Sequence, residues 1–300
     1  MKRTRTSTAG HGFTALGYGR RLLLMACIFV LMMALAGSAG TLAGGIYKAG
    51  GREYLIAVNL LQNLIGFCGT ALVTALFVST RPFAMLGMNR AGSYRALVGL
   101  LLAFALGIPF LNQVTWWNTQ IHLPEAMQAF EALLRRWEDA ALQATGVMLD
   151  TTSVGGLIVN ILVIGIFTGL SEELCFRGCM QRVIASGGIN GHVAVWLTAV
   201  IFSVLHFQFF GFLPRVLLGA FFGYLFLWTG SIYISAAAHA LNNSLYVLLH
   251  WLTLRGVAVS HTDRWGVAEH GFPAEACVSL ALVLVVLVGL RSYLFGAKKV

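Results

Sequence analysis

Two adjacent glutamates, Glu172 and Glu173, lie in a stretch of sequence that is otherwise apolar enough to cross a bilayer. They follow the apolar run 157–168, and Arg177 comes four residues after Glu173. A carboxylate at the centre of a membrane helix costs about 2.5–3.5 kcal/mol to insert. We therefore expect each of these side chains to be paired, hydrated or used in a reaction.

Helical spacing assigns the two glutamates to different roles. Glu173 and Arg177 are four residues apart, so their side chains meet on one face of a helix and the cost of burying the carboxylate falls. Glu172 points about 100° away, and the residue four positions after it, Phe176, carries no charge. A carboxyl without a partner ion is available as a general base or acid. We predict chemistry for Glu172 and structural support from Glu173 and Arg177. The alternative is a salt-bridge cluster with no catalysis.

Two histidines follow in later apolar segments. His206 comes four residues after Phe202, whose ring is placed to shield the imidazole from lipid, and His239 comes four residues before Asn243. A single histidine in an apolar helix is typical of a hydrogen-bonded core residue. A glutamate, two histidines and an asparagine on three separate segments form a set that packing does not explain. We predict that this set is one functional site.

The elements that position these residues are membrane helices. The 300-residue chain is 58% hydrophobic and only 10% charged, whereas a soluble domain is about 25% charged. No period-two alternation indicates a β-barrel, so the predicted fold is all-α, a polytopic membrane protein with about eight transmembrane helices. The sixth predicted span is the shortest, which suggests a tilted or partly re-entrant helix. The predicted spans are 22–46, 55–79, 94–115, 153–184, 191–211, 212–229, 231–254 and 274–295.

Basic residues near the chain ends set the expected orientation. The segment 1–21 is predicted to be a basic cytoplasmic tail, and 22–295 a single helical membrane domain with its catalytic core at about 153–254. An even number of spans returns the tail 296–300 to the cytoplasmic side, and a bacterial plasma membrane is the expected location. The alternative is that the N-terminal segment is a cleaved signal peptide, but its apolar run is long for one.

The segment 124–146 differs in kind from the spans. Apolar residues such as Phe130, Leu133 and Trp137 recur at helical spacing between charges. This pattern predicts an amphipathic helix on the outer membrane surface. Packing of the same helix on the outer loops would produce the same pattern.

Three short motifs carry a resemblance to a known family. Glu172-Glu173 with Arg177 fits EExxxR, Phe202 to His206 fits FxxxH, and His239 to Asn243 fits HxxxN. Over about residues 153–254 the chain thus resembles the CPBP intramembrane proteases, also called the Abi or type II CAAX prenyl endopeptidase family. The resemblance implies an eight-span helical hydrolase that cleaves a peptide bond of a membrane-associated substrate.

The resemblance also implies roles for the site residues. Glu172 and His206 would hold and deprotonate a water molecule, and His239 and Asn243 would donate hydrogen bonds to the oxyanion. No cofactor is expected to be required. The alternative is that His206, His239 and Glu172 bind Zn²⁺, although the HExxH signature is absent. Counted from the predicted span ends, Glu172 and His206 lie at different depths, so a tilt, a water cavity or a wrong span boundary is needed.

Partners and competing functions remain open from the sequence. The expected partners are the lipid bilayer and a membrane-associated peptide or protein, such as a prenylated CAAX tail, a bacteriocin leader or a membrane-protein segment. The net charge of +9 is not arranged as a basic stripe with interleaved aromatic residues, so no nucleic-acid partner is expected.

A proton-coupled transporter is the main alternative to a protease, because buried carboxylates, histidines and the polar Gln62 and Asn63 also suit a proton relay. The second alternative function is a non-catalytic membrane scaffold.

Overall fold

The protein is helical throughout the part of the chain that the structure describes. The structure is a computed structural model that describes residues 13–257 and 262–296. Within these ranges it contains no β-strand, and the predicted all-α fold is confirmed. Most of the predicted tail 1–21, and residues 297–300 of the predicted tail 296–300, lie outside the described residues.

Nine helices of 14 residues or more account for most of the described chain. Their boundaries mostly agree with the predicted spans to within a few residues, and short helical turns at Pro82–Met85, Glu125–Met127 and Phe209–Gly211 lie between them. The helices are α1 (Tyr18–Ala43), α2 (Arg52–Val78), α3 (Tyr94–Thr119), α4 (Gln128–Leu149), α5 (Val154–Ala185), α6 (Gly191–Val204), α7 (Phe212–Thr229), α8 (Ile232–Leu254) and α9 (Ala274–Gly296).

Six of the described helices are long and apolar enough to cross a membrane, namely α1, α2, α3, α5, α7 and α9. The chain is therefore an integral, multi-pass membrane protein. Two further helices occupy predicted spans but fall short of these criteria. α6 is apolar but has only 14 residues, and the polar His239, Asn242 and Asn243 lower the mean hydropathy of α8. About eight spans remain plausible on this count.

The fifth span is the one whose predicted boundary is wrong. It was expected to run from 191 to 211, but α6 ends at Val204 and is followed by a turn that carries His206. The shortest of the predicted spans is thus the fifth, and not the sixth, which forms the 18-residue helix α7. The sequence around Val204 contains neither proline nor glycine, so no local stop signal indicates this end.

The predicted amphipathic helix is present as α4. Phe130, Leu133 and Trp137 on it are exposed, while Leu134 is buried against the rest of the protein. Its far end is fixed to α2, because Arg52 donates a hydrogen bond from Nε to the carbonyl of Met148 over 3.1 Å. The helix therefore presents an apolar face outward and is anchored to the bundle.

Three π-helical segments interrupt α2 and α5. They cover Gln62–Gly69 in α2, and Ile161–Phe167 and Leu174–Gln181 in α5. Between the two segments of α5 lies the ordinary α-helical stretch Thr168–Glu173, which carries both glutamates. π-helical turns are rare and occur mostly at functional sites. Their concentration here singles out this stretch.

Small residues bring α5 close to α8. A Cβ atom added at Gly169 would lie 2.8 Å from the backbone nitrogen of Ala240, and one added at Gly165 would lie 2.3 Å from the hydroxyl of Ser244. Only glycine allows this approach, because any larger side chain would collide with the facing helix. The contact sets the distance between the glutamates of α5 and the histidine of α8.

Candidate active site

The ion pair expected between Glu173 and Arg177 is present and fully buried. Arg177 Nη1 lies 2.6 Å from Glu173 Oε1, and neither side chain is exposed. Arg177 Nη2 also donates to the carbonyl of Gly219 on α7 over 2.9 Å, and the guanidinium lies over the ring of Phe202, 4.7 Å from its centroid. The pair thus joins α5 to α6 and α7.

Glu173 has two further partners on α8. The hydroxyl of Ser235 donates to Glu173 Oε2, and His239 Nδ1 lies 3.0 Å from Glu173 Oε1. Ser235 was not anticipated from the sequence. It comes four residues before His239, so the two side chains share a helix face, and that spacing is the signal that could have identified it. Glu173 therefore orients the histidine as well as pairing with Arg177.

His239 lies between the two glutamates. Its Nε2 is 3.6 Å from Glu172 Oε2, and its ring stacks on that of Phe222 with the centroids 4.8 Å apart. Because Glu173 is ionised in its pair with Arg177, His239 Nδ1 must donate the hydrogen bond between them. The nitrogen that faces Glu172 is therefore Nε2, and the orientation of the ring is fixed by the second carboxylate.

Glu172 is buried, and no arginine in the described part of the chain forms an ion pair with it. The residue is only 7% exposed. Its carboxylate accepts no hydrogen bond from residues 13–257 and 262–296. The separation of 3.6 Å from His239 Nε2 is longer than a hydrogen bond and leaves both groups able to bind a shared water molecule. Of the two glutamates, this is the one available for proton transfer.

His206 reaches the same region from the turn after α6. Its Nδ1 donates to the carbonyl of Phe202 over 2.7 Å, so Nε2 of the neutral ring is left as the acceptor. The ring of Phe202 lies 4.7 Å from that of His206 and 5.8 Å from that of His239. The phenyl ring therefore contacts both imidazoles.

The corrected end of α6 also removes the mismatch in depth. Glu172 lies 13 residues before the end of α5 at Ala185, and α6 ends at Val204, 13 residues after its start at Gly191. At about 1.5 Å per residue, both points lie about 20 Å from the turn that joins the two helices. Glu172 and His206 are consequently at similar levels without any special tilt.

Asn243 lies on the same face of α8 as His239, one turn further along. Its amide Nδ2 is 3.3 Å from the carbonyl of Ile164, and its Oδ1 accepts from Asn242 Nδ2 over 3.2 Å. An amide group has two N–H bonds, so one donor of Asn243 remains for another acceptor. Asn242 holds the orientation of the Asn243 amide.

A polar network joins α2 to the helix of the glutamates. Asn63 is buried and accepts a hydrogen bond from Ser171, the residue before Glu172, over 2.5 Å. Its Nδ2 lies 3.2 Å from Thr168 Oγ1 and 2.9 Å from the carbonyl of Asn59. Gln62 and Asn63 are the two polar residues that would also suit a proton relay. Gln62 is exposed, whereas Asn63 is buried. In the structure Asn63 fixes α5 against α2.

The zinc alternative requires three ligands that the geometry does not bring together. Across the described ranges, no group of three or more histidine, cysteine, aspartate or glutamate side chains is arranged to hold a metal ion. Of the set His206, His239 and Glu172, the structure places His239 and Glu172 side by side, and the ring of Phe202 packs against both histidines. This donor set does not fit a tetrahedral site with three protein ligands.

Comparison with known proteins identifies the segment that carries these residues. Residues 154–245 match the family model described as type II CAAX prenyl endopeptidase, Rce1-like, which covers about a third of the chain. Nothing matched among curated proteins, and nothing matched among solved structures. The matched segment contains the three motifs from Glu172 to Asn243, so the resemblance seen in the sequence is confirmed. The segment that carries the site is thus similar to the type II CAAX prenyl endopeptidases, and this similarity indicates a peptide hydrolase.

Proposed function

We propose that the protein hydrolyses a peptide bond of a membrane-associated substrate with a water molecule activated by Glu172. One observation carries the proposal. A buried carboxylate that accepts no hydrogen bond from the described residues lies 3.6 Å from a histidine whose other nitrogen is held by a second carboxylate. A salt-bridge cluster with only a structural role needs the pair of Glu173 and Arg177, but it has no need for Glu172.

In the first step the oxygen of water attacks the carbonyl carbon of the substrate. The proton of the water passes to Glu172, and the free Nε2 of His206 is available to accept a hydrogen bond from the same water. The carbon–nitrogen bond of the tetrahedral intermediate then breaks, and the proton held by Glu172 passes to the leaving amine. The products are a carboxylic acid and an amine, and Glu172 returns to its ionised form.

The oxyanion that forms in this step needs hydrogen-bond donors. We assign His239 and Asn243 to this role, as the family resemblance implies. Asn243 has one free N–H for the purpose. His239 already donates from Nδ1 to Glu173, so donation from Nε2 requires a proton on each nitrogen of the ring. Glu173 lies where it stabilises that doubly protonated ring, which gives it a part in the reaction beyond its pair with Arg177.

The family match and the location of the site support a proposal for the substrate class. The name of the matched family points to a protein that ends in a prenylated CAAX sequence, and we propose this class first. A bacteriocin leader or another membrane-protein segment would fit the same chemistry. We further propose that both termini are cytoplasmic in a bacterial plasma membrane, as the distribution of basic residues indicates.

Comparative peptidomics of membranes tests the proposal. Membranes that contain the wild-type protein should accumulate cleavage products that are absent with Glu172→Gln, because an amide keeps the size of the side chain but cannot take a proton. The matched control is Glu125→Gln, which changes an exposed glutamate that makes no contact with the site residues among the contacts described above and should leave the products unchanged. Identical peptides from wild type and Glu172→Gln would refute the assignment. Ion flux in proteoliposomes that depends on Glu172 would favour the transporter.

The proposed reaction requires no metal ion. Purified protein should keep its activity after treatment with a chelator, and its metal content should not correlate with turnover. Activity that is lost on chelation and restored by Zn²⁺ would instead require the histidines to rearrange around a metal.

A further inference from the structure

The turn that carries His206 has a strained backbone. Phe207, the next residue, has a φ angle of 54°, and no other non-glycine residue in the described ranges has a positive φ. A bulky side chain is disfavoured in this left-handed conformation, which persists only where surrounding contacts impose it. Three sets of contacts impose it on residues 205–211, the segment that we call the His206 turn.

Some of these contacts come from the matched segment itself. The hydroxyl of Ser203 donates to the carbonyl of Phe212 over 2.9 Å. Arg215 on α7 donates to the carbonyl of Gln208 over 3.2 Å and to its side-chain oxygen over 2.8 Å. The bonds from Arg215 tie the His206 turn to α7, and the bond from Ser203 holds together the ends of the two helices that the turn joins.

A second set comes from α3, which lies outside the matched segment. Asn118 is 1% exposed, and both ends of its amide are used. Its Nδ2 donates to the carbonyl of Phe209 over 2.9 Å, and its Oδ1 accepts from the backbone N–H of Leu213 over 2.6 Å. One side chain thus bridges the His206 turn and the start of α7.

The third set comes from the amphipathic helix α4. Glu138 Oε2 accepts a hydrogen bond from the backbone N–H of Phe210 over 2.9 Å. The guanidinium of Arg135 lies 4.0 Å from the centroid of the Phe210 ring, and Trp137 makes an edge contact with the ring of Phe207 at 6.0 Å. Three neighbouring residues of α4 therefore converge on the His206 turn.

We propose that Asn118 and Glu138 are positioning residues for His206. They act through backbone groups of Phe209, Phe210 and Leu213 and so hold the strained turn in the conformation that aims the imidazole at the site. The inference rests on the proposed function, in which His206 binds the attacking water. It assigns part of the catalytic geometry to α3 and α4, which the family match does not cover.

The experiment measures turnover of a quenched fluorescent peptide with a farnesylated CAAX end by the full chain in lipid nanodiscs. Glu138→Ala should lower kcat by about 10²-fold with little change in KM, because displacement of a catalytic group by about 1 Å has this cost. Glu138→Gln keeps an acceptor for Phe210 and should restore most of the rate. Asp139→Ala, the exposed neighbour on α4, is the matched control and should behave as wild type.

Asn118 provides a second and independent variant. Asn118→Asp keeps the acceptor for Leu213 but loses the donor to Phe209, so it should also lower kcat. Asn112→Ala is its control, because Asn112 lies on the same helix but donates to the carbonyls of Thr262 and Trp265 instead. Losses of equal size in Glu138→Ala and Asp139→Ala, or a rise in KM with kcat unchanged, would overturn the proposal.

Hydrogen exchange separates this inference from the proposed function. Amide hydrogens of the His206 turn should exchange faster in Glu138→Ala than in wild type and Glu138→Gln, whether or not the peptide is a substrate. Unchanged exchange in Glu138→Ala would overturn the positioning role. A wild-type protein that does not cleave the peptide, but whose turn responds as expected, would contradict the proposed substrate and support the contacts.

Discussion

The close contact between α5 and α8 provides a sharp test of the site geometry through Gly169→Ala. The added methyl group would lie 2.8 Å from the backbone nitrogen of Ala240, 3.1 Å from its Cα and 3.3 Å from the carbonyl carbon of His239. All three are backbone atoms, so no side chain can rotate away. The helices must separate, and the histidine moves with α8.

The required displacement can be read from these distances. Ordinary contacts of a Cβ atom begin at 3.4 Å, so α8 must move by about 0.6 Å relative to α5. The separation of 3.6 Å between Glu172 and His239 changes by a similar amount. Since a misplacement of about 1 Å can cost 10²-fold in rate, we expect kcat to fall by about 10-fold or more. Overpacking should also lower the free energy of unfolding by about 1–3 kcal/mol.

Turnover of the farnesylated peptide in nanodiscs and thermal unfolding of the same preparations measure both effects. Gly155→Ala is the matched control, because it lies on the same helix and a Cβ atom there meets nothing within 4 Å. It should keep wild-type turnover. Wild-type kcat in Gly169→Ala would refute the view that the contact between α5 and α8 sets the distance from Glu172 to His239.

Three further predictions concern other parts of the structure. Arg177→Ala leaves Glu173 buried without its cation and should lower the free energy of unfolding by about 3–5 kcal/mol, measured by denaturation in detergent. If Asn243 donates to the oxyanion, Asn243→Ala should lower turnover by about 10²- to 10³-fold. Asn242→Ala should lower turnover only a few-fold, because Asn242 acts through the Asn243 amide. Equal losses of turnover in the two variants would point to packing. The backbone N–H of Leu123 and the side chain of Arg135 lower the pKa of Glu131 from 4.5 to about 2. The ionised Glu131 carboxylate thus stabilises the start of α4 fully above pH 4.5, and this effect is lost as the pH falls toward 2. After correction for the intrinsic exchange rate at each pH, amides near the start of α4 should be less protected at pH 2.5 than at pH 6, and Glu131→Gln should remove this difference.

The sequence contained enough information for the elements and for the local contacts of the site. The apolar runs predicted the helices because hydropathy over about 20 residues is a property of the local sequence. The pair of Glu173 and Arg177 was predictable for the same reason, since residues four apart on a helix meet whatever the tertiary structure. The family motifs then named the correct segment, as the match over 154–245 confirms.

Contacts between helices could not be predicted because they depend on how each helix is rotated and how far it is shifted. The hydrogen bonds of Glu173 with Ser235 and His239 join residues more than 60 positions apart. The end of α6 at Val204 is set by packing of the following turn against α3 and α4. The role of Asn63 was open for the same reason, because a polar residue in an apolar helix suits a relay and a helix–helix hydrogen bond equally.

The short length of α6 has a consequence for the surrounding lipid. Its 14 residues rise about 20 Å, whereas the hydrocarbon core of a bilayer is about 30 Å thick. One face of this helix is apolar and exposed, with Val193, Trp196, Leu197, Val200 and Val204 on it. A bilayer of that thickness beside this face would meet a hydrophobic mismatch of about 10 Å and would thin locally to match it. Such thinning would bring head groups and water toward the end of α6, next to His206, where the proposed reaction needs water.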